Sequence, residues 1–181
     1  MSSSRHPAHP HVDRSTPRNT GVGCVTVALL RLRQASERPA LAALRPVANL
    51  LTWTWLFLMG AEIPKSTRIG ERLRLPHGGR GVIIHPATVI GDDVTIYHQV
   101  TIGVRGTEDR APHIRSGVYI GAGAAVLGDI TIGEHARIGA GAVVIRDVPA
   151  NATATGVPAA VRNAENYEQQ TGNDGRGSAG D

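Results

Sequence analysis

The sequence has few aromatic residues: Phe, Trp and Tyr together make up 3% of its 181 residues. Folds whose cores rest on large rings are therefore excluded, and a core of small and β-branched side chains is expected. The hydrophobic fraction of 41% is still sufficient for one folded domain. The 22 glycines indicate many tight turns.

Cysteine is also nearly absent, since Cys24 is the single one. One cysteine excludes an internal disulfide and a cysteine-based zinc site. It fits a reducing compartment, and we predict a cytoplasmic location.

The sequence lacks a long hydrophobic run and an N-terminal secretory signal. The apolar run from Val47 to Met59 has 13 residues, whereas a membrane span needs about 20. This run predicts a buried or surface-lying helix and no membrane span.

Basic and aromatic residues do not alternate anywhere in the chain, although the net charge is +4. Because nucleic-acid sites combine clustered cations with stacking rings, we expect no nucleic-acid partner. The positive charge would suit a phosphorylated cofactor.

A period of six residues runs through the second half of the chain. Ten positions at this spacing, with one repeat left out, are all isoleucine or valine, although only 30 of the 181 residues are of these types. They are 84, 90, 96, 102, 114, 120, 126, 132, 138 and 144. Glycine often follows the branched residue, as at Gly103, Gly121 and Gly139.

This pattern is typical of a β-helix built from hexapeptides, in which the branched residue points inward and three hexapeptides form one coil. We predict an all-β fold, a parallel β-helix of about five coils with a short helical N-terminal extension. Its left-handed sense is implied by the resemblance given below. The expected organisation is a disordered arm at 1–20, a helical segment at 21–60, the β-helix at 61–161 and a disordered tail at 162–181.

The period is interrupted twice, and both interruptions contain polar and reactive residues. Nine residues instead of six separate Leu75 from Ile84, and His77 lies among them, between a proline and two glycines. A second loop, with four charged residues, leaves the coil between Ile102 and Ile114. In a regular β-helix such departures are where function is expected.

The segments IGERLRLPHGGRG, VIGDDVTIYHQVTIG and IGAGAAVLGDITIGEHARIGAGAVV, followed by GVPA, resemble the left-handed β-helix acyltransferases, and among them the serine acetyltransferases. The segment TIGVRG…APHIRSGVYIGA is closer to the colanic-acid acetyltransferase branch, which modifies polysaccharide. The resemblance implies acetyl-CoA as co-substrate, a small-molecule acceptor and no metal. It also implies cysteine biosynthesis as the setting and a homotrimer, or a dimer of trimers, with its active sites between neighbouring β-helices.

The resemblance also implies roles for individual residues. His77 is the expected general base, and Glu62, fifteen residues earlier, would orient it. Arg110 would contact the acceptor. His113, near the end of the same loop, is a further candidate for this contact on its residue type alone. Residues expected along the acetyl-CoA groove are Gly103, Ala122, Arg137 and Ala140.

Two positions depart from the serine acetyltransferase pattern. Pro76 stands where that family has an aspartate before the catalytic histidine, and Ala111 stands where it has a second histidine. Both changes remove polar groups that serine would use. Acetyl transfer is therefore better supported than serine as its acceptor, and a sugar hydroxyl is the alternative.

Other interpretations of these residues remain open. His85 and His98 are alternative candidates for the base. The loop residues His113, Arg105 and Arg110 could equally be solvated side chains without a role in binding. A zinc enzyme of the carbonic anhydrase type needs three histidines, two of them close in sequence, and His77 with His85 has no fitting third. A non-catalytic trimeric scaffold needs no Glu and His pair.

Overall fold

The computed structural model describes residue 19 and residues 21–107 and 109–162. The helical segment consists of helix α1 (Val22–Ser36), a 3-10 helix (Pro39–Leu44) and helix α2 (Arg45–Met59). The expected disordered arm and tail lie almost wholly outside the described residues. Asn19 belongs to that arm, and its side chain donates to Leu73 O at 2.7 Å and accepts from Leu75 N at 2.8 Å.

Within the described residues, thirteen short strands follow the helices. They are β1 (Arg68–Ile69), β2 (Ile83–Ile84), β3 (Val89–Ile90), β4 (Thr95–Ile96), β5 (Thr101–Gly103), β6 (His113–Ile114), β7 (Tyr119–Ile120), β8 (Ala125–Leu127), β9 (Thr131–Ile132), β10 (Arg137–Ile138), β11 (Val143–Val144), β12 (Thr153–Thr155) and β13 (Ala160–Arg162).

The strands form three sheets that are the faces of a triangular prism. Face A contains β2, β5, β8 and β11, and face B contains β1, β3, β6 and β9. Face C contains β4, β7, β10, β12 and β13, of which only β13 is antiparallel to its neighbour. Isolated bridges at Glu62, Arg74 and Val148 complete the first and last coils, so that the chain makes the five coils of the predicted left-handed β-helix.

The ten periodic positions fill the interior of the prism. From Ile84 to Val144, each of the ten is no more than 2% exposed. The residues two positions earlier are buried as well, including Val94, Val100 and Ala136. The prediction that this series points inward is confirmed.

The first coil is longer than a regular one. Glu62 pairs with Ile83, and Arg68 pairs with Val89, so each pair is separated by 21 residues instead of 18. The three extra residues lie between Arg74 and Ile83, where His77 is found. The interruption in the period is therefore an insertion at one corner of the prism.

The helices cover the open end of this first coil. Leu30 of α1 and Leu56 of α2 belong to the same buried core as Ile63, Leu73 and Leu75. Gly23 approaches so closely that an added Cβ would lie 2.4 Å from Leu75 O. The helical segment thus shields the end of the hydrophobic interior from water.

An ion-pair cluster joins the first two coils and predicts a pH dependence. Asp93 accepts from Arg72 at 2.7 Å and from Arg74 at 3.1 Å. The hydrogen bond from Arg72, opposed by partial burial, holds the pKa of Asp93 below its ordinary value. A carboxyl group whose pKa is lowered by folding stabilises the folded state at pH values above its pKa in the unfolded chain. This stabilisation is lost as the pH falls through its pKa in the folded state.

We expect Asp93→Asn to be modestly less stable than wild type at pH 7 and to lose this difference under acidic conditions. Asn suits the site because Asp93 has φ 56°, a left-handed conformation that Asn also adopts. Urea unfolding across an acidic pH series measures the effect. An equal stability difference at every pH would show that the ion pairs do not cause it.

Candidate active site

One corner of the prism, between faces C and A, collects four of the residues singled out above. His77, His98, Ala122 and Ala140 each lie two residues after an inward-facing residue of face C, namely Leu75, Ile96, Ile120 and Ile138. We call this edge the His77 corner. Because neighbouring coils are about 4.8 Å apart, these four residues form a line along the prism.

The insertion brings His77 out of the regular coil at this corner. Gly78 and Gly79 follow it with φ 72° and 73°, in the left-handed region that glycine adopts without a steric penalty. A Cβ on Gly78 would lie 2.5 Å from Val22 Cγ1. Helix α1 therefore packs directly on the loop that carries His77.

Buried hydrogen bonds tie this loop to both helices. The Thr26 hydroxyl of α1 donates a hydrogen bond to Gly78 O at 2.8 Å. It also accepts one from Trp55 Nε1 of α2 at 2.8 Å. At the end of α2, Met59 O accepts from Gly81 N at 3.0 Å. The helical segment thus fixes the backbone on both sides of the insertion.

Thr26 is therefore expected to act as a positioning residue for His77. A small displacement of a catalytic group can lower the rate of the chemical step severely. Thr26→Val should therefore lower kcat by roughly tenfold to a hundredfold, with little change in KM for acetyl-CoA. Steady-state kinetics and thermal unfolding should be measured together.

The matched control is Thr52→Val. Thr52 is as buried as Thr26, and its hydroxyl donates to Ala48 O at 2.7 Å within the helical segment, away from the loop. Both variants should lower the melting temperature, but only Thr26→Val should lower kcat. A similar kcat in the two variants would contradict the positioning role.

The ring of His77 faces a cleft of about 670 Å³. The His98 ring meets it edge-on at a centroid distance of 4.8 Å, and the Tyr97 ring lies at 5.8 Å. His98 Nδ1 is buried and has no hydrogen-bond partner in the part of the chain that the structure describes. The cleft is lined by Gly21, Val22, Pro76, His77, Arg80 and His98.

Aromatic rings continue from His77 along face C. Tyr97 and Tyr119 have ring centroids 5.3 Å apart, and the guanidinium of Arg137 lies 4.6 Å above the Tyr119 ring. Partial burial, with a contribution from Tyr97, raises the pKa of Tyr119 above its ordinary value. Tyr119 is therefore neutral at physiological pH, and Arg137 is held beside the His77 corner as an exposed cation.

His85, the other competitor for the role of base, lies elsewhere. It follows β2 on face A, and its Nδ1 accepts from Ala87 N at 3.2 Å. His85 is thus engaged in a local turn and is not among the residues that line the cleft. Of the two competing histidines, the structure brings only His98 to His77.

The expected partner of His77, Glu62, has an exposed side chain on the first coil of face A. Its backbone pairs with the strand that follows the insertion, through Glu62 N to Val82 O and Ile84 N to Glu62 O, both at 2.8 Å. Among the hydrogen bonds and ion pairs of the described residues, none joins Glu62 to His77. Orientation of His77 by Glu62 stays a prediction.

Three further predicted site residues lie away from the His77 corner. Gly103 ends β5, and the following loop carries Arg110, which pairs with Asp129 at 2.9 Å. His113 is exposed on β6 of face B. Within one chain, these residues are therefore separated from His77 by the width of face A.

Sequence reasoning missed several residues of this site, among them Val22, Arg80 and Tyr97. No group of three or more His, Cys, Asp or Glu residues within the described ranges could hold a metal ion. The prediction that no metal is used stays a prediction.

Comparison with known proteins first gives the class. Residues 111–146 match the family described as bacterial transferase hexapeptide (six repeats). The matched segment runs from Ala111, at the end of the second loop, through β11, and so covers the most regular coils of the prism. The fold and this match identify these coils as hexapeptide repeats of the kind found in bacterial transferases.

Similar individual proteins identify the family more narrowly than the hexapeptide model does. The chain is 46% identical over 115 residues to serine acetyltransferase of Helicobacter pylori strain J99, covering 62% of this chain and 67% of that one. It is 43% identical over 117 residues to that of Synechococcus elongatus, covering 64% and 48%. Soybean serine acetyltransferase complexed with serine superposes with a TM-score of 0.67 at 38% identity, covering 78% of this chain and 57% of that one.

The chain therefore belongs to the serine acetyltransferase family of hexapeptide-repeat acyltransferases. It spans from about half to two thirds of the length of these relatives.

Proposed function

We propose that this protein is an acetyl-CoA-dependent O-acetyltransferase that acetylates the hydroxyl of L-serine or a related small hydroxyl acceptor. The observation that carries the proposal is the His77 corner. There the His77 imidazole lies beside a cleft, and the small side chains of Ala122 and Ala140 are aligned with it on later coils. Family membership supports the same reaction.

His77 supplies the base in this proposal. Its neutral imidazole accepts the acceptor's hydroxyl proton as that oxygen attacks the carbonyl carbon of the acetyl thioester. The C–S bond then breaks, and the sulfur of coenzyme A takes the proton from the imidazolium and leaves as a thiol. His98, in edge contact with His77, stands on the neighbouring coil and limits the orientations of the His77 ring. Backbone N–H groups of the glycine-rich turns are suitable donors for the negative charge that develops on the thioester oxygen.

The residues along the corner fit acetyl-CoA. Ala122 and Ala140 leave room for a narrow pantetheine arm to run beside the coils. The Arg137 guanidinium, exposed above Tyr119, provides a positive charge for the cofactor's phosphates.

The proposed active unit is a homotrimer. Arg110 and His113 lie on another part of the prism from His77, so they meet an acceptor at the His77 corner only if a neighbouring β-helix brings them there. Mass measurement in solution tests this assembly, and a monomer at micromolar concentration would overturn it.

One observation favours the alternative, a sugar hydroxyl as acceptor. Pro76 lines the cleft where the family has an aspartate, and no carboxylate lines this cleft among the described residues. An amino acid's ammonium group therefore has no acidic partner there, and an unpaired buried charge is costly. A sugar hydroxyl needs no such pairing.

The deciding experiment measures thiol release from acetyl-CoA with serine, homoserine and a panel of sugars, on wild type and His77→Ala side by side. We expect release with serine in wild type only. Activity on sugars but not on serine would move the protein to the polysaccharide branch. Equal rates in both proteins would show that His77 is not the base. Absence of thiol release with every acceptor would favour a non-catalytic trimeric scaffold.

A further inference from the structure

Helix α2 presents an uncovered apolar face on the side opposite its contact with α1. Its buried side consists of Ala48, Thr52 and Leu56. The exposed side, which we call the α2 face, consists of Val47, Leu50, Leu51, Trp53, Phe57 and Leu58, each from 49% to 70% exposed. The rings of Trp53 and Phe57 are stacked on this face, with their centroids 5.6 Å apart.

Apart from the exposed Thr54, this side of α2 is apolar, which is unusual for a helix that meets water. No charged residue occurs between Arg45 and Glu62. A helix that is hydrophobic all round is normally enclosed by protein or by lipid. The helical stretch Pro39–Met59, with 21 residues, is long and apolar enough to cross a membrane by length and composition, yet only 17% of its most apolar window is buried.

Crossing a bilayer is incompatible with the packing of α2. Leu56 belongs to the core of the first coil, and Thr52 is fully buried beside α1. These contacts hold one side of the helix against protein, so only the α2 face is available to lipid. The geometry fits a helix that lies in the plane of a membrane surface.

The charge of the helical segment indicates which surface this is. Residues 21–61 contain four arginines and one acidic residue, Glu37. Two of the arginines, Arg31 and Arg33, donate to backbone carbonyls of the first coil, whereas Arg38 is exposed and Arg45 lies 3.8 Å from Glu37. Arg38 and Arg45 flank the start of the apolar stretch. This sign attracts anionic lipid headgroups and opposes contact between two copies through the same face.

From these observations we infer that the α2 face docks on the surface of an anionic lipid bilayer. The inference is independent of the proposed acetyl transfer. It has a consequence for the site, because Met59 at the end of α2 accepts a hydrogen bond from Gly81 in the His77 loop. Docking would therefore hold the cleft close to the membrane surface.

The test is flotation of the full chain with vesicles of phosphatidylcholine mixed with phosphatidylglycerol, and with vesicles of phosphatidylcholine alone. Wild type should float with the mixed vesicles, and high salt should release part of it. The double variant Trp53→Gln/Phe57→Gln should lower the bound fraction by about tenfold or more.

The matched control is Val157→Gln/Val161→Gln, which changes two exposed apolar residues near the far end of the prism. It should float like wild type. Absence of wild-type binding, or equal loss of binding in both double variants, would overturn the inference. So would a fall in solution mass caused by the Trp53 and Phe57 changes, because a second copy would then cover the face.

Thiol release from acetyl-CoA is measured in parallel without vesicles. It should be unchanged in both double variants. A failure of membrane binding and a failure of the acetyl-transfer proposal are thereby read from different assays.

Discussion

Replacement of His77 by alanine is expected to lower kcat for acetyl transfer by about 10²- to 10⁴-fold, the usual cost of losing a general base. KM for acetyl-CoA should change little, because the proposed cofactor residues lie on the third and fourth coils of the corner. The fold should survive, since His77 is exposed and the Tyr97 and His98 rings that contact it are held by their own coil. Steady-state kinetics in both substrates, with circular dichroism as a check on folding, measures the effect.

Other variants separate the base from its neighbours. His98→Asn should cost less than His77→Ala, because His98 contacts the base and is proposed to restrict its ring. Glu62→Gln should also cost less, since it would disturb only the orientation of His77. His85→Asn is the control and should be neutral, because His85 lies outside the cleft. A larger loss in His98→Asn than in His77→Ala would exchange the two roles.

The fold could be predicted from the sequence because one physical constraint acts at every coil. In each coil, the interior of the prism accommodates one branched side chain from each face. The chain has Ile or Val at each of these regular positions from Ile84 to Val144. The insertion could also be located, since the interior residue is displaced by three positions between Leu75 and Ile84. The 21-residue separation of Arg68 and Val89 is the same displacement seen in three dimensions.

Part of the site follows from the same arithmetic. A residue two positions after each inward residue of face C must lie at one corner, so the period alone brings His98 to His77 and aligns both with Ala122 and Ala140. In the sequence the period identifies the interior positions first, and the corner positions follow only once each hexapeptide is assigned to a face. His98 is therefore predicted from the sequence as a competitor of His77, whereas the structure places it as a neighbour of His77.

The helical contributions to the site could not be obtained in this way. Thr26, Trp55 and Val22 reach the His77 loop through tertiary packing of two helices, which has no fixed spacing relative to the hexapeptides. The helical stretch that contains the apolar run from Val47 to Met59 is also longer than that run. The apolar run has 13 residues, but the helical stretch that contains it runs from Pro39 to Met59 and has 21.

Replacement of Ala140 by tryptophan is expected to raise KM for acetyl-CoA by roughly tenfold to a hundredfold, which corresponds to about 1.4–2.8 kcal/mol of lost binding. Ala140 is exposed on the line of small residues two coils beyond His98, where a bulky ring would occupy the proposed pantetheine path. kcat at saturating acetyl-CoA should fall much less than in His77→Ala, because the base is untouched.

The matched control for this change is Ala150→Trp, an exposed alanine in the turn before β12, between faces B and C. It adds the same ring to the same fold at a different corner, so KM should stay at the wild-type value. Isothermal titration with coenzyme A gives the affinity without turnover and separates binding from chemistry. If Ala140→Trp bound coenzyme A as wild type does while Ala150→Trp bound it weakly, the cofactor path would run along the other corner. Equal, unchanged affinities in both variants would remove it from these two edges and leave face C, with Arg137 above Tyr119, as the surface to test next.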